Sequence, residues 1–304
     1  MTYELPPGFA AHRRPAGAVP AVPRDAATVV LLRDSAAGPE AYLLRRVTGM
    51  AFAGGMTVFP GGSVDPTDAG ATIDETATID GTAPADDGAP ALAWAGSPPS
   101  AWAARLSADA GRARALICAA VRETFEESGV LLAGGAPDEV TADVSGEEWE
   151  AERVALEGHT QSLSQLLARR GLALRADLLR VWSHWITPEP EPRRYDTRFF
   201  VAALPAGQAT RLVGGEADRG HWIRPADAVA AARRAELVML PPTAVTLGEL
   251  VPYPDVAAVL AAADERPVTP ILPRVVASAG RFWIVLPGEP GYLAVADGAA
   301  GGAP

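Results

Sequence analysis

Arg122-Glu123-Thr124-Phe125-Glu126-Glu127-Ser128-Gly129-Val130 places three carboxylates within five positions. Wound as an α-helix, Glu123, Glu126 and Glu127 stand at i, i+3 and i+4 and share one face. Ile117, Val121 and Phe125, with Cys118 beside them, fall on roughly the opposite face, and Gly129 comes where a helix C-cap is expected. The spacing predicts a helix over Arg112 to Ser128 with its apolar side turned inward. Like charges this close repel, so the trio costs stability unless a cation neutralises it. Hard oxygen ligands grouped in this way suit Mg²⁺ or Mn²⁺. A bare ExxEE pattern is more often a solvated acidic face, so its reading turns on the rest of the chain.

At 304 residues the chain can bury a substantial core. The formal charge of −11 disfavours a non-specific nucleic-acid binder. All 26 basic residues are arginine, which removes lysine Schiff bases and the P-loop lysine from consideration. Cys118 is the single cysteine, so there is no disulfide framework or cysteine-rich zinc site. Its place on the apolar side of the helix reads as a buried structural thiol. Met1 to Pro23 has no apolar run of signal-peptide length, and no segment approaches the roughly 20 apolar residues that span a bilayer. The expectation is a cytoplasmic protein without a membrane anchor.

Residues 1–24 are rich in Pro and Gly and read as an arm. Ala27 to Leu32 and Glu40 to Arg46 form a hairpin across the turn-forming stretch Arg33 to Pro39. Val58-Phe59-Pro60-Gly61-Gly62 is a short strand running into a turn whose glycines permit close backbone approach. Residues 65–100 show little periodicity and read as a long inserted loop, with a short helix at Trp102 to Leu106; a linker between two domains is the alternative. Further helices are expected at Glu147 to Leu156, Ser162 to Arg170, Pro225 to Arg234, Thr243 to Leu250 and Asp255 to Ala263. Strands are expected at Leu178 to Ile186, Asp196 to Leu204 and Gly220 to Ile223. Arg274 to Ala277 and Arg281 to Leu286 make a terminal hairpin, a candidate homodimer element.

Phe59-Pro60-Gly61-Gly62 and Arg122-Glu123-x-x-Glu126-Glu127-x-Gly129-Val130 together resemble the Nudix hydrolase signature, G-x5-E-x7-R-E-U-x-E-E-x-G-U with U aliphatic. Thr124 stands in an aliphatic place. Gly62 and Arg122 are 60 positions apart where the signature has 14, an insertion of 46. Such an insertion inside the box resembles the branch containing the peroxisomal coenzyme A diphosphatase of animals. Trp185-Ile186-Thr187-Pro188, Arg193 to Phe200, Gly215-Glu216 before Trp222, and Leu240-Pro241-Pro242-Thr243 resemble that branch too. Two departures stand out. Counted back from Arg122, the box glutamate falls on Arg114, and Asp68, six past Gly62, is the candidate stand-in. In the motif that precedes the box in coenzyme A-cleaving members, Leu43-Leu44-Arg45-Arg46 and Gly55 match, but Ala51 and Val47 do not.

The resemblance implies an α+β fold, an α/β/α sandwich around a mixed sheet, with extra C-terminal helices and a hairpin. Its domain spans 25–290, with 63–111 as the insertion and 291–304 a disordered tail. It implies an enzyme that hydrolyses a nucleoside diphosphate linked to another group, here coenzyme A or acyl-coenzyme A, giving 3′,5′-ADP and (acyl-)phosphopantetheine. Glu123, Glu126 and Glu127 would hold Mg²⁺ or Mn²⁺, Arg122 would orient a carboxylate, and Gly61 and Gly62 would turn beside the metal. Glu216 is the candidate general base, against an exposed loop glutamate. Arg46, Arg193 and Tyr195 are candidate substrate contacts. Arg194 and Arg198 read rather as charges guarding a strand edge, Trp222 as core, and none of the histidines is given a role. NADH, ADP-ribose or a capped RNA end are alternative substrates. A Nudix-fold regulator that binds a nucleotide without cleaving it is the alternative from another class.

Overall fold

A computed structural model describes residues 3–4, 19–49, 53–70, 92–135, 139–213, 215–278, 281–290 and 292. Most of the arm 1–18, the middle of the insertion (71–91), Ala51, Gly214 and the tail 293–304 lie outside the described residues. In chain order the elements are β1 (Tyr3–Glu4), β2 (Arg24–Ser35), β3 (Gly38–Arg46), β4 (Thr57–Val58), β5 (Gly61–Ser63), α1 (Pro66–Gly70), β6 (Trp94–Ala95), α2 (Pro99–Leu106) and α3 (Ala110–Ser128). There follow β7 (Ala133–Gly134), α4 (Glu147–Glu157), α5 (Leu163–Arg170), β8 (Ala173–Arg175), β9 (Arg180–Ile186), β10 (Tyr195–Ala203) and β11 (Ala217–Ile223). The chain closes with α6 (Pro225–Arg233), α7 (Pro241–Leu250), α8 (Val256–Glu265), β12 (Pro270–Ile271), β13 (Arg274–Ser278) and β14 (Arg281–Val285).

Alternation along the central strands builds the layers. On β2, Ala27, Val29 and Leu31 join the apolar cluster of α3, while Val30 and Leu32 join that of α6 to α8. Tyr42 and Leu44 against Ala41 and Leu43 on β3, and Phe200 and Ala202 against Phe199 and Val201 on β10, divide in the same way. A period of two is what a strand buried on both faces requires. Each such Val, Leu or Phe contributes roughly 1.5–3 kcal/mol by leaving water. The sheet runs β11-β3-β2-β10-β9-β12, with β4 beside β3 and β5 beside β2. β2 and β10 are parallel and β2 and β3 antiparallel, so the sheet is mixed and the expected α+β sandwich is observed.

Helix α3 starts at Asp109, whose side chain accepts from the Arg112 N–H, and stops at Gly129, at φ 70°. That backbone conformation is open to glycine at little cost. Thr124, in its aliphatic place, is buried and donates to the Ala120 carbonyl at 2.7 Å, so its hydroxyl is satisfied inside the helix. Cys118 is buried and free, and burial pushes its thiol well above the ordinary range.

The described residues at both ends of the insertion pack against the sandwich. Arg105 at the end of α2 donates to the Ala263 and Asp264 carbonyls near the end of α8, a favourable place for a cation. Arg112 pairs with Asp25 and Asp196. The short sheet β6-β8-β7, which brings part of the insertion against the stretch after α3, was not expected from sequence; two- and three-residue strands carry too little pattern to read.

Arg194 and Arg198 are not edge charges. β10 has β2 on one side and β9 on the other. Arg198 is 1% exposed, pairs with Asp196 and donates to the Leu106 carbonyl. Arg194 is buried and donates to the Ala21 and Thr187 carbonyls. Burial works to raise the Asp196 pKa, but the His184 hydrogen bond and the Arg198 charge bring it down to about 2. The terminal hairpin forms as β13 and β14, and β1 pairs along the other edge of β14, Tyr3 opposite Ile284.

Candidate metal and diphosphate site

The last turns of α3 carry the carboxylates to the edge of a cavity of about 540 Å³. β5 lies alongside β2 there, and the Gly61 N–H donates to Glu127 Oε2 at 2.7 Å. A side chain on Gly61 would press into the β2 backbone at Ala27 and Thr28, and a Cβ on Gly62 would lie 2.5 Å from Glu123 Oε1. Both glycines therefore serve close approach. Gly62→Ala is expected to leave thermal stability nearly unchanged, because only the flexible end of Glu123 must move. It should weaken Mn²⁺ binding by about tenfold, as changes next to a ligand do, which a calorimetric titration would measure.

Arg122 is the hub, only 3% exposed. Its Nη1 donates to Glu123 at 2.8 Å and Glu126 at 3.2 Å, and its Nη2 to the Ser63 carbonyl at 2.9 Å. Nε and Nη2 both meet Asp68, Nη2 at 2.8 Å. Asp68 is 2% exposed and sits on α1, the first turn of the insertion, which leans on α3. The position counted back along the helix, Arg114, instead donates to the Ala69 carbonyl at 2.6 Å and helps hold α1 down. The carboxylate absent from α3 is thus supplied from the other end of the insertion, as a partner for Arg122.

Three carboxylates, Asp68, Glu123 and Glu126, meet one guanidinium, and Glu127 adds a fourth charge beside Glu123. Burial raises Glu126 to about 7 against the pull of Arg122, and burial with the Glu123 charge raises Glu127 to about 8. Glu126 Oε1 is buried and meets no donor among the described residues. Among those residues no three acidic, histidine or cysteine side chains are already arranged around a common point: Glu123 and Glu126 are turned to Arg122, and Glu127 to Gly61. The donor set nevertheless fits a hard divalent cation. It consists of oxygens with uncompensated charge, one of them an orphaned oxygen, beside a strand end cleared of side chains.

Arg46, Gly61, Gly62, Arg122, Glu123, Glu126, Glu127, Arg193, Tyr195 and Glu216 all line this one cavity. Arg46 holds Glu216 at 3.1 Å, and the Glu216 charge bears on Glu123 and Glu127. Trp222 is outside it, packed on Tyr42 with ring centroids 5.3 Å apart and donating to Thr210. His159 and Glu157, at the end of α4, also line the cavity and were not anticipated; nothing in their local spacing marks them, and they arrive by the packing of α4 on α3.

A mixed sheet between two helical layers, with a glycine strand end against a helix bearing Arg-Glu-x-x-Glu-Glu, defines a Nudix hydrolase. The chain belongs to the NUDT19 Nudix domain family, whose match runs over residues 23–250. It is 29% identical to a solved NUDIX hydrolase from Alicyclobacillus acidocaldarius, at a TM-score of 0.60, over 79% of this chain and 96% of that one. It is 30% identical over 132 residues to putative nudix hydrolase 7 of Caenorhabditis elegans, 43% of this chain and 42% of that protein. It is 29% identical over 155 residues to acyl-coenzyme A diphosphatase NUDT19 of Xenopus laevis, 46% of this chain and 40% of that protein. The chain spans about two fifths of the length of these curated relatives. Nudix hydrolases generally use divalent metal ions. No helix among the described residues is long and apolar enough to cross a membrane.

Proposed function

We propose that this Nudix hydrolase cleaves the diphosphate of coenzyme A or an acyl-coenzyme A, releasing 3′,5′-ADP and (acyl-)phosphopantetheine, with Mg²⁺ or Mn²⁺ held by Glu123, Glu126 and Glu127. The observation that carries it is the surplus of buried carboxylate charge around Arg122, opening into a cavity of substrate size. The Xenopus relative's name supports the coenzyme A class. So do apolar walls at Trp185, Pro242 and Ile284, which suit an extended chain.

When bound, the metal neutralises diphosphate oxygens and makes an attacking water more acidic. The rest falls to this chain's residues. Arg122, gripped through two nitrogens by Asp68, fixes the directions of Glu123 and Glu126 from Nη1, and the Gly61 N–H fixes Glu127. Glu216, oriented by Arg46, takes the proton of the water as its oxygen bonds to phosphorus and the bridging P–O bond breaks. Arg193 meets a further phosphate of the substrate, and Tyr195 stacks on its base.

The test offers coenzyme A, an acyl-coenzyme A, NADH, ADP-ribose and nucleoside triphosphates to the purified chain with Mg²⁺ or Mn²⁺, with products separated chromatographically. Release of 3′,5′-ADP at about ten times the rate for NADH or ADP-ribose is the expected result. Faster cleavage of NADH or ADP-ribose overturns the coenzyme A class; tight binding of a nucleotide with no turnover of any overturns catalysis.

A further inference from the structure

We propose that His159 is a substrate-contacting residue, its ring protonated between two anions and donating from Nε2 to a diphosphate oxygen and from Nδ1 to Asp65; this rests on the diphosphatase reading above. His159 lines the same cavity as the carboxylates, and its Nδ1 lies 3.4 Å from Asp65 Oδ2. Asp65 is itself fixed, since its carboxylate accepts from Thr67 N–H at 2.8 Å and from the Thr67 hydroxyl at 2.7 Å at the start of α1.

His159 comes just after α4 and, at φ 52°, closes the helix end with its N–H on the Leu156 carbonyl at 2.8 Å; its side chain is 69% exposed and so open to a ligand. An inventory of basic groups favours a ligand role. The basic groups lining the cavity, among the described residues, are Arg46, Arg122, Arg193 and His159. Arg122 is committed through all three nitrogens to Asp68, Glu123, Glu126 and the Ser63 carbonyl, and Arg46 pairs with Glu216. Arg193, the Arg46 Nε (unpartnered among the described residues) and His159 are then the donors left to a polyanion entering this cavity.

The test compares wild type with His159→Gly and His159→Gln. Expected for the glycine variant are an unlowered thermal midpoint, unchanged Mn²⁺ affinity, and KM for the preferred diphosphate raised about tenfold with kcat within about threefold. The glutamine variant, which keeps an N–H donor, should recover part of the KM. A non-hydrolysable methylene analogue of the diphosphate should bind His159→Gly correspondingly more weakly. Unchanged KM and analogue affinity, or a fall in kcat alone, overturns the contact. If wild type hydrolyses no diphosphate, the functional reading fails, and analogue binding still decides the contact by itself.

Discussion

Glu127→Gln is expected to lower kcat on the preferred diphosphate by roughly 10²–10³-fold while leaving the metal-free protein as stable as before, or more so. The amide keeps the shape and still accepts from the Gly61 N–H, so packing is preserved. What is lost is one of the charges that hold the divalent ion and the electrostatic stabilisation that ion supplies. What is gained in the metal-free state is relief of repulsion, because burial and Glu123 already push Glu127 up to about 8. Stability and activity should therefore move in opposite directions, a pairing that a residue needed only for folding would not show. The raised values also set the sign of a pH effect. Glu126 at about 7 and Glu127 at about 8 hold protons below those values, and the cation must displace them. Mn²⁺ affinity should climb as pH rises from 6 to 8, with protons released on binding. Titration calorimetry in buffers of different ionisation enthalpy measures both; a pH-independent affinity would count against these carboxylates as ligands.

Asp68→Ala should have the largest effect on stability, about 3–5 kcal/mol, because it strips the main partner from a guanidinium that is 3% exposed. The damage should extend to the metal site. An Arg122 freed from Asp68 is drawn further onto Glu123 and Glu126, the groups that must turn to the cation. Asp68→Asn, which keeps the acceptor and loses the charge, should be intermediate in denaturant unfolding and still weaken Mn²⁺ binding. A small stability change for Asp68→Ala would mean that solvent reaches Arg122 and that α1 is not the clamp described above.

Much of the site was legible in the chain. Glu123, Glu126 and Glu127 had to share a face once the segment was helical, since a 3.6-residue period leaves no alternative, and Ile117, Val121 and Phe125 had to face inward. The glycines at 61 and 62 pointed to close approach, and they meet Ala27, Thr28 and Glu123. Arg198 was misread because a charged residue in an alternating strand resembles an edge guard until its neighbours are known; here β10 is central and Asp196 compensates the charge. The short strands of the small sheet offer two or three residues each, below what periodicity can resolve.

By itself, then, the sequence determined the local periodicities: which face of α3 is acidic, where the first hairpin turns, where α3 ends at Gly129. These depend on backbone geometry repeated every two or 3.6 residues, and need no knowledge of distant partners. Only the tertiary structure decided that Asp68 reaches Arg122 across 54 positions, that Arg114 braces α1, and that the end of α4 brings His159 to Asp65. Such pairings depend on where chain closure leaves two remote side chains, and that is settled by packing of whole elements against the sheet.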